Sequence, residues 1–457
     1  MALSDSEPTA AVILPEHKAI VDVLAGYGVD VFELVDPSEL AQSTSTSFFV
    51  PAITSGGHAA FAGASSMTYG LTIDLQRLNT IQLASDKKSV SVGPGNRWID
   101  VYKSLEPQSL TAIGGRVSDI GVGGLTLGEL DISFENVDFS HFSPSPSSPR
   151  CHFVLLNAVV IANGRILNVN QQSHPDLYWA LRGGGNNFGI VTRFDLATYP
   201  VEELWAGSGI YIVDDSTRKS LLDAVVKFAD EWPSDPRAAL ICNFAYAQGM
   251  FVAAVDMDYT KPVENPPIFD TFKAIPAMRD TMGIKSQSNV TLPFKASNPN
   301  GLLKLDIEMI TFVTDSYMVG IDPIKNVAGI VLALTLQVIS PGMIAKMGKN
   351  GGNALGLKPS EGPLLLVLVN VMWADRADDE AVLKAVSDII NAVKYEAESS
   401  KKLNKFIYMN YASQFQSVIE SYGSASYERL LQVARRYDPS RVFQELQPGY
   451  FKLTPGG

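Results

Sequence analysis

The sequence has few of the residues on which metal and disulfide chemistry depend. Its 457 residues include two cysteines, Cys151 and Cys242, and five histidines. Two cysteines supply neither a disulfide framework nor a cysteine-based zinc site. The histidines show no H-x-x-x-H or H-E-x-x-H spacing, so we expect no catalytic metal.

Basic charge and long apolar runs are also scarce. Lys and Arg together number 36 against 48 Asp and Glu, which gives a formal net charge of −12. This balance disfavours nucleic acid and anionic membrane surfaces as partners. No apolar run reaches the ~18 residues that a transmembrane helix needs. Residues 1–7 lack the basic and apolar regions of a secretory signal. The sequence as written therefore predicts a cytoplasmic protein, unless the natural chain begins elsewhere.

Glycine, in contrast, is plentiful and clustered. Three clusters lie at residues 55–58, 114–124 and 182–189, and the first ends in His58. Glycine lets the backbone approach a ligand closely, and successive N–H groups in such turns can bind an anion. The clusters therefore indicate a large phosphate-bearing cofactor. None of them matches the G-x-G-x-x-G fingerprint of a Rossmann domain, so that fold is disfavoured while a dinucleotide is not.

Composition and periodicity predict a globular chain of two domains or lobes. Apolar residues make up 46% of the chain and charged residues 18%, and the length exceeds one ordinary core. The predicted strands are residues 70–75, 88–95, 190–196, 251–255, 305–310 and 364–372, with a hairpin at 158–169. The predicted helices are residues 98–105, 175–181, 379–398 and 427–437. Residues 129–150 interrupt this pattern and predict a loop or an insertion.

Taken in order along the chain, the motifs resemble one family of flavoproteins. They lie at residues 55–58, 72–75, 93–98, 114–128, 163–165, 175–194, 408–411 and 437–453. In this order they are similar to the FAD-linked oxidoreductases of the berberine-bridge-enzyme-like group. That group belongs to the vanillyl-alcohol-oxidase / p-cresol-methylhydroxylase (PCMH) superfamily, and the resemblance is strongest to its fungal members.

The resemblance implies an α+β fold in three parts. A PCMH-type FAD-binding domain of two subdomains would occupy residues 1–202. A central substrate domain, with an antiparallel sheet and covering helices, would follow at residues 203–405. A C-terminal berberine-bridge-like segment, residues 406–457, would return to the FAD domain.

The resemblance also implies FAD as the cofactor, attached covalently through His58. Backbone groups of residues 55–58 and 114–128 would hold the pyrophosphate and the ribityl chain. Residues 183–185 are interpreted as a packing feature. The cofactor contacts that the resemblance assigns are Ser55, Gly56, Gly57, His58, Gly63, Gly95, Gly114, Gly115, Gly121, Gly123, Gly124, Gly128, Gly189, Ile190, Val191 and Asn410.

Several side chains are candidates for proton transfer. The resemblance offers Tyr411, and beside it Tyr408, as the catalytic group, although tyrosine is also common in ordinary strands. Asp306 and Glu308 are rival bases on a predicted strand, with solvent-facing carboxylates as the alternative interpretation. Cys242 is interpreted as a small buried residue.

The chain departs from the family pattern at two places. Thr54 stands where the family usually has Arg or Lys, so one charge on the phosphate side is missing. Gly128 is followed by Glu129-Leu130-Asp131, where the family has further glycines and often Cys-Asp-Asn. In bicovalent relatives a cysteine forms a second link to the flavin. Cys151 lies at about the same separation from residues 162–164 as that cysteine, although its neighbours in the sequence differ.

Together these features predict an FAD-dependent oxidoreductase with a small-molecule substrate and O₂ as the acceptor. The expected substrate is an alcohol or an activated C–H group of a small secondary metabolite, and some relatives couple oxidation to ring closure. Two alternatives stay open. Residues 129–150 could disrupt the cofactor site and leave an impaired flavin-fold protein, or the substrate could be a carbohydrate in a more open, polar pocket.

Overall fold

The secondary structure follows most of the predicted pattern. The computed structural model describes residues 15–26, 30–34, 51–59, 63–65, 70–129, 154–247, 249–290, 300–349, 351–447 and 449–453. Within these ranges the predicted helices at 98–105 and 175–181 and the predicted strand at 364–372 are confirmed with the same bounds.

The strands and helices alternate irregularly along the chain. The strands are β1 (Asp30–Leu34), β2 (Pro51–Thr54), β3 (Gly70–Asp74), β4 (Ile81–Leu83), β5 (Ser89–Val92), β6 (Leu110–Ala112), β7 (Val154–Val160), β8 (Ile166–Val169), β9 (Ile190–Pro200), β10 (Leu204–Ile212), β11 (Ala238–Ala247), β12 (Met250–Tyr259), β13 (Arg279–Asp280), β14 (Gly283–Lys285), β15 (Asn300–Lys304), β16 (Val331–Ile339), β17 (Leu364–Met372) and β18 (Leu403–Asn404). The helices are α1 (Pro15–Gly26), α2 (Trp98–Leu105), α3 (Val122–Leu127), α4 (Pro175–Leu181), α5 (Asp215–Glu231), α6 (Asp270–Lys273), α7 (Gln287–Val290), α8 (Ile307–Gly320), α9 (Pro341–Met347), α10 (Asp379–Ser399) and α11 (Ser424–Tyr437).

Two sheets form the N-terminal half of the described chain. In the three-stranded sheet, β3 lies between β1, to which it is antiparallel, and β2, to which it is parallel. The six-stranded antiparallel sheet has the order β4-β5-β9-β7-β8, with β6 also beside β9. Helix α2 packs Trp98 and Tyr102 into the core, and the Tyr102 hydroxyl donates to the carbonyl of Gly115 over 2.9 Å. The second glycine cluster is therefore held against α2.

The C-terminal tail lies against the third glycine cluster. The side-chain amide of Asn187 donates to the carbonyls of Gly184 and Phe451, over 2.8 and 2.9 Å. The side chain of Gln444 donates to the Asn187 carbonyl over 2.9 Å. Because Asn187 is fully buried, these bonds fix the tail to the loop that precedes β9.

A nine-stranded antiparallel sheet forms the central part of the chain. Its order is β13-β10-β12-β11-β16-β17-β15-β18, with β14 also beside β10. Successive side chains of a strand point to opposite faces of the sheet. On one face Trp205 of β10 stacks on Phe269 at 5.7 Å between ring centroids, and Phe269 stacks on Phe228 of α5 at 5.8 Å. Helices therefore cover this face.

The opposite face of the same sheet carries polar side chains. Cross-strand register places the following residues on it: Ser208, Asn243, Asp256, Thr335, Gln337 and Asn370. Thr335, Gln337 and Asn370 are buried on this face, and buried polar groups need hydrogen-bond partners.

The prediction of a strand at residues 305–310 is wrong. Leu305 precedes the helix, and the side chain of Asp306 accepts a hydrogen bond from the N–H of Met309 over 2.9 Å, which makes Asp306 the N-cap of α8. Aspartate is among the preferred N-cap residues because its carboxylate satisfies an N–H group that the helix leaves unpaired. The apparent alternation of apolar residues there is the first turn of a helix.

Glu129, the first residue of the segment that departs from the family pattern, forms a buried ion pair. Its carboxylate lies 2.7 Å from Nη2 of Arg182, and both side chains are almost completely buried. Arg182 also donates to the carbonyls of Met347, Lys349 and Gly352. The pair therefore connects the end of α3 to the loop after α9. Residues 130–150 and Cys151 lie outside the described residues.

We expect Glu129→Gln to destabilise the protein by about 3–5 kcal/mol, because it leaves the buried Arg182 charge without a counter-charge. Urea unfolding at neutral pH measures this. Asp388→Asn is the control, because it breaks the exposed ion pair of α10 in which Nζ of Lys384 lies 2.6 Å from Oδ2 of Asp388. Exposed pairs of this kind contribute about 0.5 kcal/mol or less to the free energy of unfolding. Equal effects of the two substitutions would contradict a structural role for Glu129.

Candidate cofactor and active site

A cleft of about 1020 Å³, its open mouth included, lies beside the glycine clusters. Its walls come from residues 53–59 and 64–65 at and after the end of β2, residues 120–127 around α3, residues 185–194 at the start of β9, and the C-terminal part of the chain. Elements from both N-terminal sheets and from the tail thus meet at one place.

Most of the predicted cofactor residues line this cleft. These are Ser55, Gly56, Gly57, His58, Gly121, Gly123, Gly124, Gly189, Ile190, Val191 and Asn410. The other predicted glycines, Gly63, Gly95, Gly114, Gly115 and Gly128, are not part of its lining. A Cβ on Gly114 would lie 1.9 Å from the ring of Trp98, and one on Gly128 would lie 2.2 Å from the side chain of Asn410. At those two positions glycine makes room for a neighbouring side chain.

The other residues of the wall were not predicted individually, although Ile120, Leu125 and Leu127 lie in the predicted cofactor-binding stretch 114–128. They are Ile53, Ala59, Ala64, Ser65, Leu75, Pro94, Ile120, Leu125, Leu127, Gly185, Asn186, Phe194, Gln447 and Tyr450. Several flank the motifs along the chain, and Gln447 and Tyr450 belong to the tail motif. Gly185 falls in the stretch interpreted as packing, yet it reaches the cleft.

The cleft is closed at one side by direct backbone contact between two loops. A Cβ on Gly56 would lie 2.4 Å from Cα of Gly121, and a Cβ on Gly121 would lie 2.5 Å from Cα of Gly56. The hydroxyl of Ser55 donates to the carbonyl of Pro94 in the same region. Only glycine permits this approach at both positions.

His58 enters the cleft next to an acidic residue. Its Nε2 lies 3.7 Å from Oδ1 of Asp119, and both side chains are partly buried. Within the described part of the chain, neither of these two atoms has a hydrogen-bond partner. Buried polar atoms of this kind usually mark a missing partner, which is consistent with a bound group at His58.

The two candidate tyrosines occupy a 3-10 turn rather than a strand. The turn spans Met409–Tyr411, and the rings of Tyr408 and Tyr411 meet edge to face at 4.7 Å. Asn410 donates through Nδ2 to the Tyr408 hydroxyl over 2.9 Å and to the carbonyl of Leu125 over 3.1 Å. Tyr408 is almost fully buried. Tyr411 is only partly buried, and its hydroxyl lies 3.5 Å from Nη2 of Arg116.

Asp306 and Glu308, the rival candidates for the base, are less suited to proton transfer than the two tyrosines. Asp306 and Glu308 lie at the start of α8, where Lys402 pairs with both carboxylates at 2.8 and 3.2 Å. Burial raises the pKa of Asp306, but hydrogen bonds from Lys402 and the Met309 N–H outweigh it and lower the pKa overall. Glu308 is exposed to solvent. Both carboxylates therefore cap and pair at a helix end.

The remaining expectations concern cysteine, metals and membranes. Cys242 is buried in β11, and burial raises the pKa of its thiol, as expected for a packing residue. Across the described ranges, no group of three or more His, Cys, Asp or Glu side chains converges as a metal site would require. No helix in the described part of the chain combines the length and apolar character needed to cross a membrane.

Comparison with known proteins identifies the family. A family model described as an FAD binding domain matches residues 45–130, and one described as berberine and berberine like matches residues 407–448. The FAD-dependent monooxygenase tpcD of Cochliobolus heterostrophus is 32% identical over 91% of this chain and 82% of the relative. The FAD-dependent monooxygenase drtC of Aspergillus calidoustus is 34% identical over 88% of this chain and 77% of the relative.

The fold is shared with solved structures. Physcomitrella patens BBE-like 1 superposes with a TM-score of 0.68 at 15% identity, over 96% of this chain and all of that structure. The chain belongs to the FAD-dependent oxidoreductases of the berberine-bridge-enzyme-like family. The predicted family, fold class and enzyme class are thereby confirmed, and FAD is the cofactor. The matched segments, residues 45–130 and 407–448, contribute Ser55–His58 and Asn410 to the cleft.

We expect Gly121→Ala to reduce the flavin content of the purified protein severalfold, because its Cβ meets backbone atoms that cannot move away cheaply. Absorbance of the flavin relative to protein measures this. Gly283→Ala on β14 is the control, because a Cβ there meets nothing within 4 Å. Full flavin content in Gly121→Ala would show that the contact between the two loops is not needed.

Proposed function

We propose that this enzyme oxidises an alcohol or an activated C–H bond of a small secondary metabolite, with O₂ as the electron acceptor. The observation that carries the proposal is the position of Tyr411: its neighbour Asn410 lines the cofactor cleft, and its own hydroxyl faces Arg116. The names of the fungal relatives as FAD-dependent monooxygenases support chemistry with O₂.

Bound FAD supplies the acceptor for the hydride that leaves the substrate carbon. The chain has to bind the cofactor, orient the substrate and take up its proton. In this proposal Tyr411 receives that proton, and the ring of Tyr408 packs edge to face against it. Nη2 of Arg116 lies 3.5 Å from the Tyr411 hydroxyl, the group that would take up the proton.

His58 is the residue that would carry a covalent bond to the flavin. It lies in the wall of the cleft, and the carboxylate of Asp119 approaches its Nε2. A nearby carboxylate can orient an imidazole ring. Asp119 is held in turn by Arg97, whose Nη1 donates to its backbone carbonyl over 2.9 Å.

The course of the chain up to residue 129 supports an intact cofactor site. Glu129 does not enter the cleft lining but pairs with Arg182. Gly128 packs on Asn410, and Asn410 bridges to the carbonyl of Leu125. Within the described part of the chain, the wall around α3 is thus formed by residues that precede Glu129.

Anaerobic mixing of the flavin-loaded enzyme with a panel of small polyketide-like alcohols tests the proposal. Bleaching of the visible flavin absorbance by an alcohol, followed in air by hydrogen peroxide formation, is the expected result. Reduction by a nicotinamide cofactor alone, with oxygen from O₂ appearing in the product, would instead indicate a monooxygenase and overturn the oxidase chemistry.

We expect Tyr411→Phe to slow flavin reduction by the substrate by about 10²–10⁴-fold, the usual contribution of a positioned base. Stopped-flow absorbance measures the rate. Tyr395→Phe serves as the matched control, because Tyr395 is 76% exposed on α10. An unchanged rate in Tyr411→Phe would remove this residue from the reaction.

We expect acid precipitation to leave the flavin bound to the wild-type protein and to release it from His58→Ala. A covalent bond survives denaturation, whereas contacts within the cleft do not. His174→Asn is the control: His174 has a left-handed backbone (φ 58°) that asparagine tolerates, and it contacts Tyr437 outside the cleft lining. Flavin that stays with the His58→Ala pellet would place the attachment at another residue.

A further inference from the structure

A second cavity lies on the polar face of the nine-stranded sheet. It measures about 550 Å³ with its open mouth included. Two carboxylates and two cations line it: Asp256 and Asp258 of β12, Lys285 of β14, and Arg116 from the second glycine cluster. The cavity therefore joins the central sheet to the N-terminal half of the chain.

Asp256 and Asp258 share one face of β12 because they are two residues apart. Asp256 accepts hydrogen bonds from the hydroxyl of Ser208 and from the side-chain amide of Asn243. These neutral donors hold the Asp256 carboxylate in place and favour its ionised form.

The hydrogen bonds continue across the sheet. The carbonyl oxygen of the Asn243 side chain accepts from the Thr335 hydroxyl over 2.7 Å, and that hydroxyl accepts from the side-chain amide of Asn370 over 2.9 Å. Asp256 is thus fixed by a chain of side chains that runs over β11, β16 and β17. A connected polar network of this kind is rigid, so the carboxylate has a defined place in the cavity.

Asp258 is the member of the pair that changes charge near neutral pH. Burial raises the pKa of Asp258, and the nearby Asp256 raises it further, to about 7. Arg116 and Lys285 oppose this rise. Burial also raises the pKa of Asp256, while the hydrogen bond from Ser208 and the charge of Arg116 lower it.

Arg116 connects this pair to the candidate catalytic tyrosine. Its guanidinium lines the cavity with the two carboxylates, and its Nη2 lies 3.5 Å from the hydroxyl of Tyr411. Arginine stays charged at every pH at which the protein is folded. Any change in the charge of the carboxylates therefore alters the net field at the phenol.

We propose that Asp256 and Asp258 are positioning residues that hold Arg116 against Tyr411, and that the charge of Asp258 controls how readily Tyr411 ionises. This inference rests on the proposed function, in which Tyr411 takes the proton of the substrate. The second cavity would thereby have a role of its own, separate from that of the cofactor cleft.

The sign of the effect follows from the groups around Asp258. It faces Asp256 on its own strand, Lys285 from β14 and Arg116 from the N-terminal half, and its cross-strand partners on β10 and β11 are alanines. When Asp258 is protonated, Asp256 alone opposes the charge of Arg116, and the phenolate of Tyr411 is favoured. When Asp258 ionises, the field of Arg116 is weakened and the phenolate is disfavoured.

Ultraviolet difference titration tests this coupling in the full-length enzyme. Each variant is compared with its own Tyr411→Phe counterpart at equal flavin content, which isolates the phenolate absorbance of Tyr411. We expect Asp258→Asn to move the Tyr411 titration to lower pH and Arg116→Gln to move it to higher pH, each by roughly half a pH unit or more. The control is Asp280→Asn, an exposed carboxylate on β13, which should leave the titration unchanged.

Opposite shifts would support the proposal, because a merely structural role would not move the titration in two directions. An unmoved titration in Asp258→Asn, or a shift to lower pH in Arg116→Gln, would overturn it. The titration of Tyr411 can be measured whether or not flavin is bound. A protein without flavin would therefore contradict the proposed function, whereas an unchanged titration would contradict the role of Asp256 and Asp258.

The pH dependence of stability gives a second measurement. Because the folded-state pKa of Asp258 is raised to about 7, the stability linked to its protonated form is lost as the pH rises from about 4 to about 7. Asparagine does not ionise. We therefore expect the unfolding temperature of Asp258→Asn, taken relative to that of the wild type, to be higher at pH 8 than at about pH 4. A relative loss of stability at pH 8 would contradict the proposed surroundings of Asp258.

Discussion

The cofactor site depends on one close approach of two backbone segments, at Gly56 and Gly121. Each glycine occupies the space that a Cβ of the other would need. Gly56 follows β2 of the small sheet, whereas Gly121 is the N-cap of α3, and an isolated bridge pairs Gly121 with Arg97 at the start of α2. The contact therefore joins the end of the small sheet to α2 and α3, and it closes one side of the cleft. The rest of the cleft wall, including the tail anchored by Asn187, is built onto that arrangement.

The central sheet separates structural and functional roles between its two faces. Aromatic stacking around Phe269 covers one face with helices. The other face carries a connected run of polar side chains, from Ser208 through Asp256 and Asn243 to Thr335 and Asn370. Glu106, after α2, accepts hydrogen bonds from both the N–H and the hydroxyl of Ser288 in α7 and so ties the polar side to the FAD-binding half. Arg116, which lies beside Tyr411, also lines a cavity with Asp256 and Asp258 of this sheet.

The glycine clusters and the local elements were predictable because their signals are local. Glycine can be recognised wherever backbone must approach a ligand, and helix and strand periods identified α2 and β17. The prediction failed at Asp306, where a helix cap resembled a strand because apolar residues alternated over too few positions to distinguish the two periods. It also missed Phe194, Gln447 and Tyr450, which reach the cleft only through tertiary packing. The contact between Arg116 and Tyr411 joins residues 295 positions apart, and no pattern in the sequence indicates it.

The most direct test of the account is the flavin content of the purified full-length chain, measured by visible absorbance against protein concentration. The account predicts about one flavin per chain, since one cleft is formed by the glycine clusters and the tail. A colourless protein that stays colourless after incubation with FAD would contradict it, because the described cleft would then not be a flavin site.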